Sequence, residues 1–149
     1  MRFFKIEKLV RNKTLKRAVQ KGAIPHATIL ADDQAFDQAL RLKILEEAQE
    51  VASSTGREAL CGEIADLLEA VSSLARLHKI SEQEIGAMRT QKDQERGGFD
   101  ERIYATYYEV PESAHEMRAY LLASPEKYPE IDPARDGSLN KAQTPEPET

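Results

Sequence analysis

Four acidic residues stand in two pairs of the same spacing, Glu47 with Glu50 and Glu63 with Asp66. We call these four residues the acid quartet. In a helix, side chains three positions apart lie on the same face, so each pair presents two carboxylates to one side. Carboxylate oxygens are ligands that suit Mg²⁺ and Mn²⁺, and such sites commonly handle phosphate groups. The spacing therefore makes the quartet a candidate site for one of these cations.

The two pairs lie on two consecutive predicted helices. Apolar residues recur with helical spacing over residues 34–53 and 57–78, and the segment Ser53-Ser54-Thr55-Gly56 breaks the pattern between them. If the chain reverses at this break, the helices form an antiparallel hairpin. At about 1.5 Å of rise per residue, the heights of the inner members, Glu50 and Glu63, agree to within about one turn. The outer members of the two pairs agree equally well.

Direction separates the quartet from its acidic neighbours. Glu47 and Glu63 fall inside the apolar sectors of their helices, and the other two members lie at the edges of those sectors. By contrast, Glu46 lies further out than Glu50, and Glu69 points to the side opposite the leucines. We therefore expect the quartet alone to converge inside the hairpin.

Converging carboxylates need a compensating charge. Two of them about 4 Å apart repel by about 4 kcal/mol at an effective dielectric constant of about 20. Protonation, basic partners or a divalent cation would each relieve this repulsion. Two other interpretations compete. Glu-rich helices often carry acids only on solvated faces, and di-iron carboxylate bundles use Glu-x-x-His pairs. No histidine stands three residues after any of the first three acids, which argues against iron.

Basic residues near the quartet are candidates for holding phosphate oxygens. Lys43 lies one turn before Glu47 at almost the same angle, although an ordinary salt bridge with Glu47 explains its position equally well. Lys92 and Arg96 share a face of a later helix, before two glycines that either admit a ligand to the backbone or simply end the helix. The full set of candidate phosphate ligands is Arg11, Lys13, Lys43, Lys92 and Arg96.

The elements that position these residues predict an all-α fold. We expect an antiparallel helical bundle flanked by short extended segments. Capping signals mark the helix ends. They are Asn12 and Gly22 around a helix over 13–21, Asp32 or Asp33 before the helix over 34–53, and Ser81 with Glu84 before a helix that ends at Arg96. The helix over 57–78 has the widest apolar arc, so it should be the most buried element.

The last third of the sequence predicts less regular structure. Aromatic and β-branched residues over 102–110 favour a short extended segment, and residues 112–122 favour one more short helix. From Ser124 onward proline and charged residues dominate, which predicts a tail that does not order itself. We therefore expect a helical domain over 1–111 and a short helix with a tail over 112–149.

The bulk composition bounds the classes of function. A chain of 149 residues suits one domain, and its formal net charge of -5 argues against general nucleic-acid affinity despite a basic N-terminal stretch. The single cysteine cannot form an intrachain disulfide, which fits a reducing compartment. No apolar run approaches the ~20 residues that a membrane span needs. We expect a cytoplasmic protein that does not bind membranes.

Four stretches of the sequence together resemble a known family. They are Lys8-Leu-Val-Arg-Asn-Lys13, Leu45-Glu-Glu-Ala-Gln-Glu50, Glu63-Ile-Ala-Asp-Leu-Leu-Glu69 and Arg96-Gly-Gly-Phe99. They are similar to the all-α nucleoside triphosphate pyrophosphohydrolase superfamily, in particular to its MazG-like and phosphoribosyl-ATP pyrophosphohydrolase-like branches. The resemblance covers residues 5–110. One departure is Asn12, where many relatives carry aspartate.

The resemblance implies a function and a ligand set. It implies that the acid quartet binds Mg²⁺, and that a nucleoside triphosphate or a phosphoribosyl-ATP-like substrate is cleaved between its α and β phosphates. The products would be a nucleoside monophosphate and pyrophosphate. It also implies a homo-oligomer of helical bundles. Two alternatives stay open: a non-catalytic helical module for nucleotide or protein binding, and a regulatory protein that contacts nucleic acid through the basic N-terminus.

Overall fold

A computed structural model describes residues 1–136, and the regular structure in this range is entirely helical. Its helices are α1 (Thr14–Gln20), α2 (Asp33–Ser53), α3 (Arg57–Leu77), α4 (Glu82–Arg96), α5 (His115–Leu122) and α6 (Pro133–Asp136). The all-α prediction is confirmed. Residues 102–110, predicted to be extended, form neither helix nor strand.

The long helices begin where the sequence signals predicted. The Asp32 side chain accepts a hydrogen bond from the backbone N–H of Ala35 at 2.9 Å and so caps α2. At α4 the backbone N–H of Ser81 donates to the Glu84 carboxylate at 2.7 Å, and the Glu84 N–H donates back to the Ser81 hydroxyl at 3.2 Å. This reciprocal pair is a capping box, which satisfies two donors that the helix itself leaves free.

The short helix α1 begins differently from the prediction. Its N-cap is Lys13, with no side-chain cap, so the prediction that Asn12 caps the helix was wrong. A backbone turn takes the place of the cap, because the N–H of Thr14 already donates to the carbonyl of Arg11 at 2.9 Å. The predicted end is confirmed: Gly22 adopts a φ of +87°, a conformation that favours glycine, and closes the last turn.

Helices α2 and α3 form a hairpin through the loop 54–56. Gly56 in this loop has a φ of +85°, so the reversal depends on a glycine. Among the helices within residues 1–96, these are the only two whose backbones approach each other closely. Leu40 on α2, 2% exposed, and Ala70 on α3, 6% exposed, are the buried apolar residues of this contact.

The burial predicted for α3 was wrong for the single chain. Ala70 is its one buried residue, although several half-buried residues flank it. A second apolar face is open, with Leu60, Ile64, Leu68 and Val71 between 39% and 59% exposed. The reason is geometric: the apolar arc of α3 is wider than the strip that one neighbouring helix covers. The hairpin therefore positions the acid quartet but leaves much apolar surface uncovered.

The chain divides into two compact units, Met1–Arg96 and Gly97–Thr149. The first holds α1 to α4. In the second, the rings of Tyr120 and Tyr128 lie 5.6 Å apart, which ties α5 to the residues that follow it. The predicted domain boundary at 111/112 stays a prediction, and the end of the predicted tail, 137–149, lies outside the described residues. None of the helices described is long and apolar enough to cross a membrane.

Candidate metal centre

The hairpin brings three members of the acid quartet into one group. Glu47 comes from α2, and Glu63 and Asp66 come from α3. One carboxylate oxygen from each lies within 4.8 Å of the others. The meeting of Glu47 with Asp66 across the hairpin is the one that spacing and helix height predict. Three oxygens at such separations can be drawn onto a single cation by small side-chain rotations.

The fourth member, Glu50, lies at the exposed edge of the same site. Its pKa is raised, first by desolvation and then by the negative charges of Glu47, Glu63 and Glu46. One of its oxygens lies within 4.8 Å of oxygens of Glu46 and Glu47. The quartet is therefore assembled by the hairpin, with Glu47 at its buried centre and Glu50 at its rim.

Glu46 also belongs to the assembly, contrary to what its direction on the helix suggested. One oxygen each of Glu46, Glu47 and Glu50 lies within 4.8 Å of the others. Lys8 lowers the pKa of Glu46 most strongly, through a hydrogen bond, and Lys43 adds to the effect at 3.2 Å. The sequence contained a signal for this residue, since Lys43 stands three positions earlier. We call the quartet together with Glu46 the acid cluster.

Glu47 is the most unusual residue of the acid cluster because it is only 3% exposed. Its Oε1 accepts a hydrogen bond from the Lys43 ammonium at 2.5 Å. Desolvation lowers the pKa of Lys43, but its bonds to Glu47 and Glu46 outweigh that effect and the net pKa is raised. The salt bridge with Glu47, which was the alternative to a phosphate-binding role for Lys43, is thus present.

The second oxygen of Glu47 tests whether a cation fits. Oε2 is buried, and no hydrogen-bond partner reaches it from the described part of the chain. A buried acceptor without a partner costs about 1–3 kcal/mol, and more when it is charged. Its nearest carboxylate neighbours are also oxygen donors, the ligand type that suits Mg²⁺ or Mn²⁺. The residues present therefore fit a hard divalent cation.

The predicted phosphate ligands of the N-terminus are placed unequally. The Arg11 guanidinium pairs with Asp66, so it reaches the acid cluster directly. Lys13 is the exposed N-cap of α1 and makes no side-chain ion pair within residues 1–136. The structure thus adds Lys8, which pairs with Glu46, and leaves Lys13 apart from the carboxylates.

The two predicted phosphate ligands on α4 are not brought to the acid cluster within one chain. Lys92 and Arg96 are exposed, and α4 approaches neither α2 nor α3 among the described residues. Lys92 instead lines a shallow groove beside Ile85 and Met88. A role for these two cations stays a prediction.

A second polar cluster ties the other end of the hairpin. Asp37 near the start of α2 accepts hydrogen bonds from Arg41 at 2.6 Å and from His78 at the end of α3 at 2.5 Å. These bonds, that of Arg41 first, lower the pKa of Asp37 from 3.8 to about 2. The contact joins two helices and holds their ends at a fixed register.

Comparisons with protein-family models, with curated proteins and with solved structures found no match for this chain. The resemblance in the sequence therefore stays a prediction. The geometry of the acid cluster is the observation that bears on function.

Proposed function

We propose that the protein hydrolyses a nucleoside triphosphate, or a related nucleotide pyrophosphate, between its α and β phosphates with the help of Mg²⁺ or Mn²⁺. The products are a nucleoside monophosphate and pyrophosphate. The observation that carries this proposal is the buried, unpartnered Oε2 of Glu47 among converging carboxylates of two helices. Few structural roles need such an arrangement, whereas a cation site for phosphate chemistry does.

The residues divide the work by their position. Glu47, Glu63 and Asp66 hold the cation, and Glu50 at the exposed rim is placed to accept a proton from an attacking water or to orient it. When bound, Mg²⁺ neutralises phosphate charge and makes a coordinated water more acidic. The side chain of Lys43, only 20% exposed, holds the Glu47 carboxylate in place through their ion pair. Arg11 is within reach of the phosphate groups because it already contacts Asp66.

The proposed enzyme works as a homo-oligomer. The open apolar face of α3 supports this, because Leu68 is 59% exposed and its neighbours on that face are also uncovered. Leu42 and Leu45 on α2 are exposed to a similar degree. Contiguous apolar surface of this kind commonly marks a protein–protein contact. A second copy of the hairpin offers a matching helical face.

The test is pyrophosphate release from a panel of ordinary and modified nucleoside triphosphates in the presence of Mg²⁺. We expect release from at least one nucleotide. Because Glu47 and Asp66 supply charge to the cation site, Glu47→Gln and Asp66→Asn should each lower the rate by at least about 100-fold. The matched control is Glu58→Gln, which neutralises an exposed acid on the same α3 helix. It should leave the rate within about twofold of the unchanged protein.

The outcomes separate the proposal from its rival. Release that survives in both site variants contradicts a role for the acid cluster. No release from any nucleotide, combined with Mg²⁺-dependent nucleotide binding, identifies a non-catalytic nucleotide-binding module instead. If the protein neither cleaves nor binds any of the nucleotides, a nucleotide is not its substrate and the proposal is wrong.

A further inference from the structure

An N-terminal arm, residues 1–13, is tied to the acid cluster by two ion pairs. Lys8 pairs with Glu46 on α2, and Arg11 pairs with Asp66 on α3. The paired residues stand 38 and 55 positions apart in the sequence. The two residues between the anchoring cations are half-buried. The arm therefore bridges both helices of the hairpin at the level of the acid cluster.

The arm supplies a large part of the charge that balances the cluster. The five carboxylates of the acid cluster face three cationic side chains, those of Lys8, Arg11 and Lys43. With every group ionised, two negative charges are left over, which is the charge that one divalent cation neutralises. The raised pKa of Glu50 has the same origin, since desolvation and neighbouring carboxylates both disfavour its ionised form.

Asp66 has two functions that conflict. Its carboxylate belongs to the group that can hold a cation, and the same carboxylate pairs with Arg11. The Arg11 and Asp66 side chains are 57% and 45% exposed. Ion pairs exposed to this degree change an equilibrium by about fivefold at most. A divalent cation that gathers three carboxylates can therefore displace Arg11 at little cost.

Lys43 differs from the arm in this respect. Its side chain is 20% exposed and its partner Glu47 is 4% exposed. It stands on α2 itself, one turn before Glu47, so the pair is fixed by the helix. The basic side chains around the cluster are thus of two kinds. Lys43 on α2 stays paired with Glu47, whereas Lys8 and Arg11 on the arm can be exchanged for another cation.

We propose that the N-terminal arm is a counter-ion strap that a divalent cation releases. A cation bound by Glu47, Glu63 and Asp66 takes Asp66 away from Arg11 and loosens the arm from the hairpin. The guanidinium of Arg11 is then free to bind phosphate oxygens, which it fits by its planar, forked geometry. This second step rests on the proposed function, whereas the release itself does not.

The experiment uses the full chain with a spin label on the arm. Phe4 is 79% exposed, so Phe4→Cys combined with Cys61→Ser gives a single labelling site. Mg²⁺ alone should make the label more mobile in electron paramagnetic resonance spectra. Inorganic pyrophosphate added while Mg²⁺ stays in large excess should slow the label again, whereas the same addition without Mg²⁺ should not. In the same protein with Arg11→Gln, the label should be more mobile from the start, although Lys8 still pairs with Glu46, and it should respond to neither addition.

Calorimetric titration with Mg²⁺ measures the competition directly. Arg11→Gln should bind Mg²⁺ up to about fivefold more tightly than the unchanged protein, because Asp66 no longer has to give up a partner. The matched control is Arg17→Gln, an exposed arginine of α1 that makes no ion pair within residues 1–136. It should leave both the Mg²⁺ affinity and the mobility of the label unchanged.

The results distinguish the strap from the enzyme. If Mg²⁺ binds but the label keeps its mobility, or if Arg11→Gln binds Mg²⁺ no more tightly, the strap is refuted while the proposed function is untouched. If Mg²⁺ releases the arm but no nucleotide yields pyrophosphate, the strap holds and the function fails. If no Mg²⁺ binds at all, both are overturned.

Discussion

At the scale of single residues, the ion pair between Lys43 and Glu47 is the contact on which the acid cluster depends. Both side chains are largely withdrawn from water, and Glu47 almost completely. Removing one partner of a buried pair leaves an uncompensated charge, which is far more costly than the pair itself is stabilising. Lys43 therefore protects a carboxylate that the hairpin would otherwise have difficulty burying.

Lys43→Met should lower the free energy of unfolding by up to about 3 kcal/mol, because the charge of Glu47 loses its partner. Mg²⁺ should recover part of this loss, since a cation on Glu47 replaces the missing ammonium. Urea unfolding with and without Mg²⁺ measures both effects. Lys16→Met, on the exposed surface of α1, is the control and should change the stability by less than about 0.5 kcal/mol. A loss that Mg²⁺ leaves unaltered contradicts cation binding at Glu47.

Glu50→Gln should have the opposite effect on the metal-free protein. The pKa of Glu50 is raised in the folded chain, so the folded state binds its proton more readily than the unfolded state does. The stability of the fold must then decrease as the pH rises through the range in which Glu50 loses its proton. Above that range, ionised Glu50 disfavours folding. The variant should melt at a higher temperature near neutral pH and show no gain at about pH 3, where the carboxyl is protonated in both states.

Thermal melts at the two pH values test this, with Asp93→Asn, which neutralises an exposed acid of α4 outside the acid cluster, as the control. Mg²⁺ should abolish the gain in melting temperature, because ionised Glu50 is attracted to the bound cation. A variant that melts below the unchanged protein at neutral pH without Mg²⁺ contradicts the crowding of negative charge.

At this scale the convergence of Glu47 with Asp66 was predictable, whereas for Glu46 the only signal in the sequence was Lys43, three positions earlier. Helix periodicity and equal heights predicted that Glu47 meets Asp66, and these two carboxylates do lie in one group. The contact of Glu46 depends on Lys8, whose position follows from the path of the non-helical arm. No periodic pattern specifies such a path, so spacing alone ranked Glu46 with the solvated acids.

At the scale of elements, the hairpin is fastened at its open end by Asp37. Because hydrogen bonds from Arg41 and His78 lower the pKa of Asp37 to about 2, the folded state releases this proton more readily than the unfolded state. The resulting stability is complete above the ordinary value of 3.8 and is lost as the pH falls through about 2. The contact of Asp37 with Arg41 and His78 therefore stabilises the hairpin throughout the neutral pH range.

Asp37→Asn should lower the melting temperature near neutral pH, and the difference from the unchanged protein should shrink between about pH 4 and about pH 2. Melts followed by circular dichroism across that range measure it. Asp93→Asn, an exposed acid of α4 without an ion pair in the described part of the chain, should follow the unchanged protein at every pH. A constant difference between Asp37→Asn and the unchanged protein at all pH values contradicts the role of the ionised carboxylate.

Helix α4 depends on local signals more than any other long helix. It approaches no other helix within residues 1–96, so its capping box carries a large share of its stability. Ser81→Ala should cost about 1 kcal/mol locally. Hydrogen exchange should accelerate several-fold over the first turns of α4, while the protection of the α2–α3 hairpin stays the same. Equal acceleration in both regions would contradict the independence of α4.

The same locality explains which elements the sequence predicted well. Asp32, Ser81 and Gly22 act on backbone groups within a few residues, so their types are enough to place a helix end. The prediction that Asn12 caps α1 was wrong because the carbonyl of Arg11 accepts the Thr14 N–H that such a cap would take. The prediction that α3 is the most buried element was wrong for another reason. Its burial depends on surfaces other than those of the α2–α3 hairpin.

At the scale of the whole molecule, the distribution of apolar surface is the dominant feature. A chain of this length normally buries a substantial core, whereas here Leu40 and Ala70 are the buried apolar residues of the described part. The open face of α3 runs along the hairpin from Leu60 to Val71 and has the spacing of a helix–helix contact. A second chain that covers it would complete the core that one chain begins.

Leu68→Glu tests this at the centre of the open face, where the leucine is 59% exposed in the single chain. Sedimentation of the unchanged protein should give a multiple of the chain mass of 16.8 kDa. The variant should dissociate at least about tenfold more readily, because association would bury an unpaired carboxylate. Leu122→Glu replaces a comparably exposed leucine on α5 and should keep the original mass. If the unchanged protein sediments as a monomer, the open face is not a contact between copies. If both variants dissociate alike, α3 has no special part in the assembly.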